Sequence, residues 1–141
     1  MHIAQTRLSI DTAPREIKEI TAEVAEWTER QRLSVGLLTL YIPHTSASLL
    51  IQENASPDVR RDLAAFLRWI VPENSALYRH NDEGADDMPT HIKSALTQTQ
   101  LSIPSRIGGC NSAPGRGSSC SSTGPRHTAR ALILTLIGEM A

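Results

Sequence analysis

His44, His80 and His91 are the residues on which a reaction centre could be built. His44 follows an apolar run and Pro43, so it falls at the end of an element, where sites collect. A single histidine in that place is satisfied by a hydrogen bond within a turn. His80 lies in an acidic stretch with Asp82, Glu83, Asp86 and Asp87. His91 falls one turn into a helix that Asp87 is expected to cap. Three imidazoles and neighbouring carboxylates can hold a divalent ion with one coordination position left open. Neutral imidazole suits zinc or another late transition metal, and the carboxylates suit magnesium. The spacing is not the H-E-x-x-H signature, so the residue types argue for a metal and the motif does not.

The carboxylates allow two readings. Asp58 and Asp87 fit helix starts, where they meet free N–H groups, and Asp82, Glu83 and Asp86 fit solvated loop charges. Alternatively, some of them hold a cation for a pyrophosphate. Arg60 and Arg61 are adjacent, and one can pair with phosphate oxygens while the other faces solvent. Ser46 and Ser48 lack the G-x-S-x-G elbow of a serine hydrolase. The chain has no P-loop and no dinucleotide fingerprint.

Several elements must position these groups. Residues 2–10 alternate as a strand, with Ala4, Thr6, Leu8 and Ile10 on one face and Gln5 and Arg7 on the other. Asp11, Thr12 and Pro14 read as a helix start. Ile17, Ile20, Val24 and Trp27 then make an apolar stripe on a helix over about 13–32. Val35–Ile42 is nearly continuous in apolar character, which suits a strand covered on both sides. Residues 47–52 read as a further strand. Ser56-Pro57-Asp58 starts a helix whose Val59, Leu63, Phe66, Leu67 and Ile70 are expected to be buried, and Pro72 ends it. Residues 73–87 form a polar loop before a third helix bearing Ile92, Ala95 and Leu96. Leu101 and Ile103 mark a strand ending at Pro104, and Ala131–Ile137 is a buried strand. The irregular mixture gives an α+β class, a mainly antiparallel sheet packed with about three helices.

Composition bounds the function. The 141 residues suffice for one domain, 1–141, and 40% are apolar, enough for a core at this length. Fourteen basic side chains nearly balance fifteen acidic ones, so no basic face for nucleic acid is expected. No apolar run reaches the roughly 18–20 residues that span a bilayer. The first residues lack the pattern of a signal peptide, and two cysteines make no disulfide framework. A cytoplasmic protein with no membrane and no nucleic-acid partner is expected.

One segment departs from the rest. Residues 108–125 read G-G-C-N-S-A-P-G-R-G-S-S-C-S-S-T-G-P, and twelve of these eighteen are Gly, Ser or Pro. Both cysteines and five of the eight glycines lie there, while all five aromatics lie at or before residue 78. Such composition reads as a flexible linker, yet a linker between two buried strands is out of place in a compact domain. Reverse translation suggests a compensated frame shift. With plausible codons moved by one base from Cys110, the text becomes Gln-Leu-Gly-Thr-Trp-Gln-Gly and then Ile-Phe-Leu-Phe-Glu-His-Arg. That text alternates as a strand does.

Several blocks resemble the YjbQ-like family, also called the secondary thiamine-phosphate synthase family. They are Pro43-His44-Thr45-Ser46-Ala47-Ser48-Leu49, Gln52-Glu53-Asn54-Ala55, Pro57-Asp58-Val59-Arg60-Arg61-Asp62-Leu63, residues 78–93 (Y-R-H-N-D-E-G-A-D-D-M-P-T-H-I-K) and Leu136-Ile137-Gly138-Glu139. The family continues with Leu-Gly-Thr-Trp-Gln-Gly and Glu-His-Arg, the words the shifted frame restores. The resemblance implies a homotrimer with thiamine-phosphate synthase activity. That reaction joins hydroxymethylpyrimidine pyrophosphate to thiazole phosphate and releases pyrophosphate. It calls for a cation, zinc or magnesium, on the leaving diphosphate and basic groups on the phosphate. Under it, His44, Asp58, Arg60, Asp82 and Asp86 are expected to act in catalysis, and His44, His80 and His91 to bind metal. The alternative is a trimeric module that binds a metal or metabolite without catalysis.

Overall fold

The computed structural model describes residues 1–53, 55–73, 76–106, 109–110, 116–122 and 127–141. In chain order the elements are β1 (His2–Thr12), β2 (Ile17–Glu19), α1 (Thr21–Arg30), β3 (Leu33–Tyr41), β4 (Ala47–Glu53), α2 (Pro57–Ile70), α3 (Asp87–Leu96), β5 (Gln100–Arg106), β6 (Gly109–Cys110), β7 (Arg116–Ser122) and β8 (Thr128–Met140). The strands make a five-stranded sheet in the order β1-β8-β3-β5-β6 and a three-stranded sheet in the order β2-β7-β4. All these pairings are antiparallel, so the expected α+β class holds.

The core lies on one face of the larger sheet. Leu38 and Leu40 of β3, Leu101 and Ile103 of β5, and Leu132, Leu134 and Leu136 of β8 are buried with Ile10 of β1. From the other side, Ala47 and Leu49 of β4, Cys120 of β7, and Ile20 and Val24 around α1 complete the cluster. The alternation read in β1 is the observed one, with Ala4, Thr6, Leu8 and Ile10 on the inner face.

Four local readings are corrected by tertiary contacts that the sequence does not display. The helix expected over 13–32 begins only at Thr21. Arg15 takes a positive φ of 56°, and residues 17–19 pair with Ser119–Ser121 of β7 instead. Ile17 is therefore buried from a strand. β3 is covered on one side only, since Val35, Leu37 and Tyr41 are exposed on the other. α2 starts as expected, with the Ser56 hydroxyl accepting from the Asp58 N–H. Its apolar stripe, however, contains no buried residue, and Phe66 and Ile70 are exposed. β5 runs through Pro104 to Arg106. Among the described residues, only Ser105 and Arg106 have a further strand to pair with, so Pro104 sits where β5 is an edge.

β8 lies between β1 and β3, with Ile3, Ile137 and Leu37 in register across the three strands. Near one end Gly36 faces Gly138, and the two backbones approach closely.

The frame-shift reading falls partly outside the described residues, namely at 108, 111–115 and 123–125. Within them, β7 is a regular strand hydrogen-bonded on both sides, and Ser118, Ser119, Cys120 and Ser121 are all buried. Small polar side chains thus occupy the centre of a sheet, where strands ordinarily bury branched and aromatic residues. If the natural gene encodes the shifted text, protein isolated from its native source is expected to be heavier than the 15.4 kDa of the written chain. An intact mass equal to that of the written chain, with Cys110 and Cys120 titrating as two thiols, would refute the reading.

Candidate metal centre

The centre is assembled from a loop and the helix that follows it. Gly84 adopts φ 127°, a conformation that favours glycine. Around it the Gly84 N–H donates to the Asn81 carbonyl and the Asp87 N–H to the Gly84 carbonyl. This tight turn carries the chain from His80 back to the first residue of α3. Asp87 and His91 are four residues apart, on one face of that helix. His80 Nε2 lies 3.1 Å from Asp87 Oδ2, and His91 Nε2 lies 3.4 Å from Asp87 Oδ1. The two imidazole rings are 5.4 Å apart between centroids.

One ligand atom from each of His80, Asp87 and His91 falls within 4.8 Å of the others. The Asp87 side chain is 8% exposed, and its Oδ2 also accepts the Glu83 N–H. The two histidines are half exposed. Two imidazole nitrogens and one carboxylate make a donor set that zinc accepts, and three protein ligands leave room for a fourth from solvent or substrate. The residues therefore fit a divalent transition metal.

The trio opens into a cleft of about 550 Å³. Asp82, Glu83 and Asp86 line it on the acidic side, and Thr45, Ser46 and Arg130 line it as well. The four carboxylates repel a phosphate ester from their own side of the cleft, and a cation held there would offset that repulsion.

The structure brings together only part of the expected site. His80, His91, Asp82 and Asp86 share the cleft. His44 is outside the trio: its Nε2 accepts the Ala131 N–H at 2.9 Å, so that lone pair is already engaged. Burial, reinforced by Arg130 and Arg7, holds its pKa below the ordinary histidine value. Asp58 is on the exposed first turn of α2, where it pairs with Arg61 at 2.8 Å. Arg60 reaches Glu19 of β2 at 3.2 Å. Neither lines the cleft. Asp87 is not the cap of α3, since Asp86 holds that position. Its carboxylate is turned to the two histidines. The four-residue spacing from Asp87 to His91 is the sequence signal for this role. Arg130 and Thr45 carried no such signal, because only tertiary folding brings them to the cleft.

Fold and cleft together define an antiparallel two-sheet α+β protein with an open histidine–carboxylate centre. The chain belongs to the UPF0047 protein YjbQ-like family, whose model matches residues 6–139. It is 46% identical over 100 residues to a UPF0047 protein of Synechocystis, covering 71% of this chain and 68% of that one. Over 136 residues it is 37% identical to the UPF0047 protein YjbQ of Escherichia coli O157:H7, covering 96% and 98%. Among solved structures, a YjbQ/UPF0047 family protein of Clostridium acetobutylicum superposes with a TM-score of 0.83 at 28% identity, covering 94% of this chain and 99% of that one. A conserved hypothetical protein of Thermus thermophilus gives 0.81 at 29%, with the same coverage. Among the described residues no helix is long and apolar enough to cross a membrane.

Proposed function

We propose that His80, Asp87 and His91 hold a divalent metal, and that the cleft beside them binds a small-molecule pyrophosphate for thiamine-phosphate synthesis. The observation that carries this reading is the convergence of the three ligand atoms within 4.8 Å at the edge of an open cleft. When bound, the metal offsets the charge that collects on a departing diphosphate. Asp87 would supply the anionic ligand, and its charge lies beside both imidazole nitrogens. Asp82 and Asp86 add negative charge that strengthens the hold on the cation. In the reaction, the pyrimidine methylene carbon forms a bond to the thiazole nitrogen. The carbon–oxygen bond to the diphosphate breaks, and its electron pair leaves with pyrophosphate.

The test is steady-state turnover of hydroxymethylpyrimidine pyrophosphate and thiazole phosphate by zinc-loaded, magnesium-loaded and chelator-treated protein. Saturable synthesis that disappears with the chelator is expected, at about 1 per second or above for a dedicated enzyme. Zinc and diphosphate binding with no turnover would instead identify a binding module.

The same proposal includes a homotrimer. Ile3, Ile137 and Leu37 form an exposed apolar row across β1, β8 and β3, with 62%, 42% and 47% of their surfaces accessible. Val35 and Tyr41 extend it along β3. A patch of this kind is covered in most soluble proteins, and other copies of this chain would supply the second side expected for β3. Leu37→Asp is expected to convert the assembly to monomer in sedimentation at micromolar concentration. A parent protein that is already a stable monomer there would overturn the trimer.

A further inference from the structure

We propose that Arg130, together with the Ser46 hydroxyl, forms a subsite that takes the phosphoryl group of the ligand in the same cleft as the histidine–carboxylate trio. The proposal deepens the preceding reading by naming the group that holds the ligand's anionic end, and it stands on separate residues.

Arg130 lies near the start of β8, paired with Ile10 of β1, and only 5% of its surface is accessible. Its terminal nitrogen donates to the Ser46 hydroxyl, and both residues line the cleft. No Asp or Glu pairs with it among the described residues. Its Nε is one of just two buried side-chain polar atoms there without a hydrogen-bond partner. A buried guanidinium is ordinarily matched by a carboxylate, because taking the charge out of water is costly when nothing offsets it. Its neighbours supply no anion. Burial pushes the nearby Cys120 thiol up to about 11, which keeps it neutral. His44 faces Arg130 as an imidazole whose Nε2 is occupied by the Ala131 N–H.

An uncompensated arginine beside an accessible cleft is therefore a site prepared for an external oxyanion. A guanidinium offers several N–H donors in one plane, and a phosphoryl group has enough acceptor oxygens to use them together with hydroxyl donors. The acidic side of the cleft holds the cation and Arg130 holds the anion. A ligand bearing a phosphate is thereby gripped at two places of opposite charge. His44 holds the N–H of Ala131, the next residue after Arg130.

The experiment titrates inorganic phosphate into protein stripped of metal with EDTA, following the Arg130 Nε–H and Ser46 amide signals by NMR. Both are expected to shift and saturate. Arg130→Lys is expected to weaken the affinity read from remaining cleft amides roughly tenfold or more, because a point charge cannot replace the planar fork. Ser46→Ala keeps the charge and is expected to weaken it by a smaller factor. Equal phosphate affinity in the parent and Arg130→Lys would overturn the subsite. So would acetate binding as tightly as phosphate. Phosphate shifts seen only after zinc is restored would assign the anion to the trio and overturn the Arg130 site while leaving the metal proposal standing. Loss of zinc binding by the parent, with phosphate still shifting Arg130, would do the reverse.

Discussion

Asp87→Asn is expected to lower zinc affinity by roughly 100-fold or more, because it removes the one anionic ligand of the trio, and even a lost hydrogen-bond partner of a ligand costs about 10–100-fold. The substitution keeps size and shape, so helix α3 should form as before. What it removes is the negative charge that faces both His80 Nε2 and His91 Nε2 at 3.1 and 3.4 Å. The one carboxylate of the trio lies beside both imidazoles, so a single change removes all of its ligand charge. Asp58→Asn is the matched control. Its carboxylate pairs with Arg61 on the exposed side of α2, and zinc affinity should equal that of the parent. Competition against a chelating dye reads both variants. Zinc binding by Asp87→Asn at parental strength would remove the trio from consideration, and a large loss in Asp58→Asn would overturn the placement of the centre.

Gly138→Ala is expected to destabilise the fold by about 3 kcal/mol, the upper range for forced overpacking. A Cβ at Gly138 would stand 2.2 Å from the Val35 carbonyl oxygen and 2.7 Å from the Gly36 Cα. Both are backbone atoms, so no side-chain rotation relieves the overlap. β3 and β8 must instead separate or slip, next to the irregularity already present between Leu33 and Val35. For a chain of this length the melting temperature should fall by roughly 10 °C. Gly36→Ala should act in the same direction, since its Cβ would meet the Ile137 carbonyl oxygen at 2.7 Å. A Gly138→Ala protein that melts within about 2 °C of the parent would show that the two strands do not approach this closely.

What could be read from sequence was what neighbours in the chain decide. The alternation of Ala4, Thr6, Leu8 and Ile10 is a property of a strand by itself, and the fold keeps it. The same holds for the start at Ser56-Pro57-Asp58, where a hydroxyl reaches an N–H two residues on. Ile17 to Trp27 misled because apolar residues at helical spacing can also come from a short strand followed by a helix. Only the pairing of Ile17 with Ser121 separates the two cases. The site divides along the same line. Asp87 and His91 meet through helix geometry and His80 through one turn, so the acidic stretch pointed to them. His44 looks like a ligand in sequence because its partner, the Ala131 N–H, lies 87 residues away. Arg130 carries no signal in sequence, since its surroundings come from Ile10 of β1 and Ser46 before β4, both more than 80 residues away. The apolar stripe of α2 was legible as a stripe, but its cover was not, since Val59, Leu63 and Leu67 are only half-buried and Phe66 and Ile70 are exposed.

The place of β8 between β1 and β3 also governs when the molecule can fold. Among the described residues β1 has no sheet partner other than β8, and side chains as far apart as Gln5 and Thr135 are hydrogen-bonded across that pair. Contacts of such sequence separation make folding slow, because the loop entropy must be met before the pairing rewards it. During synthesis, β1 and β3 emerge first, with the strand that joins them still inside the ribosome. The edges that β8 will occupy on both strands stay unpaired until residues 128–140 arrive. The nascent chain thus passes most of its synthesis as a two-edged sheet lacking its middle, a form that invites pairing with other chains and calls for chaperone protection.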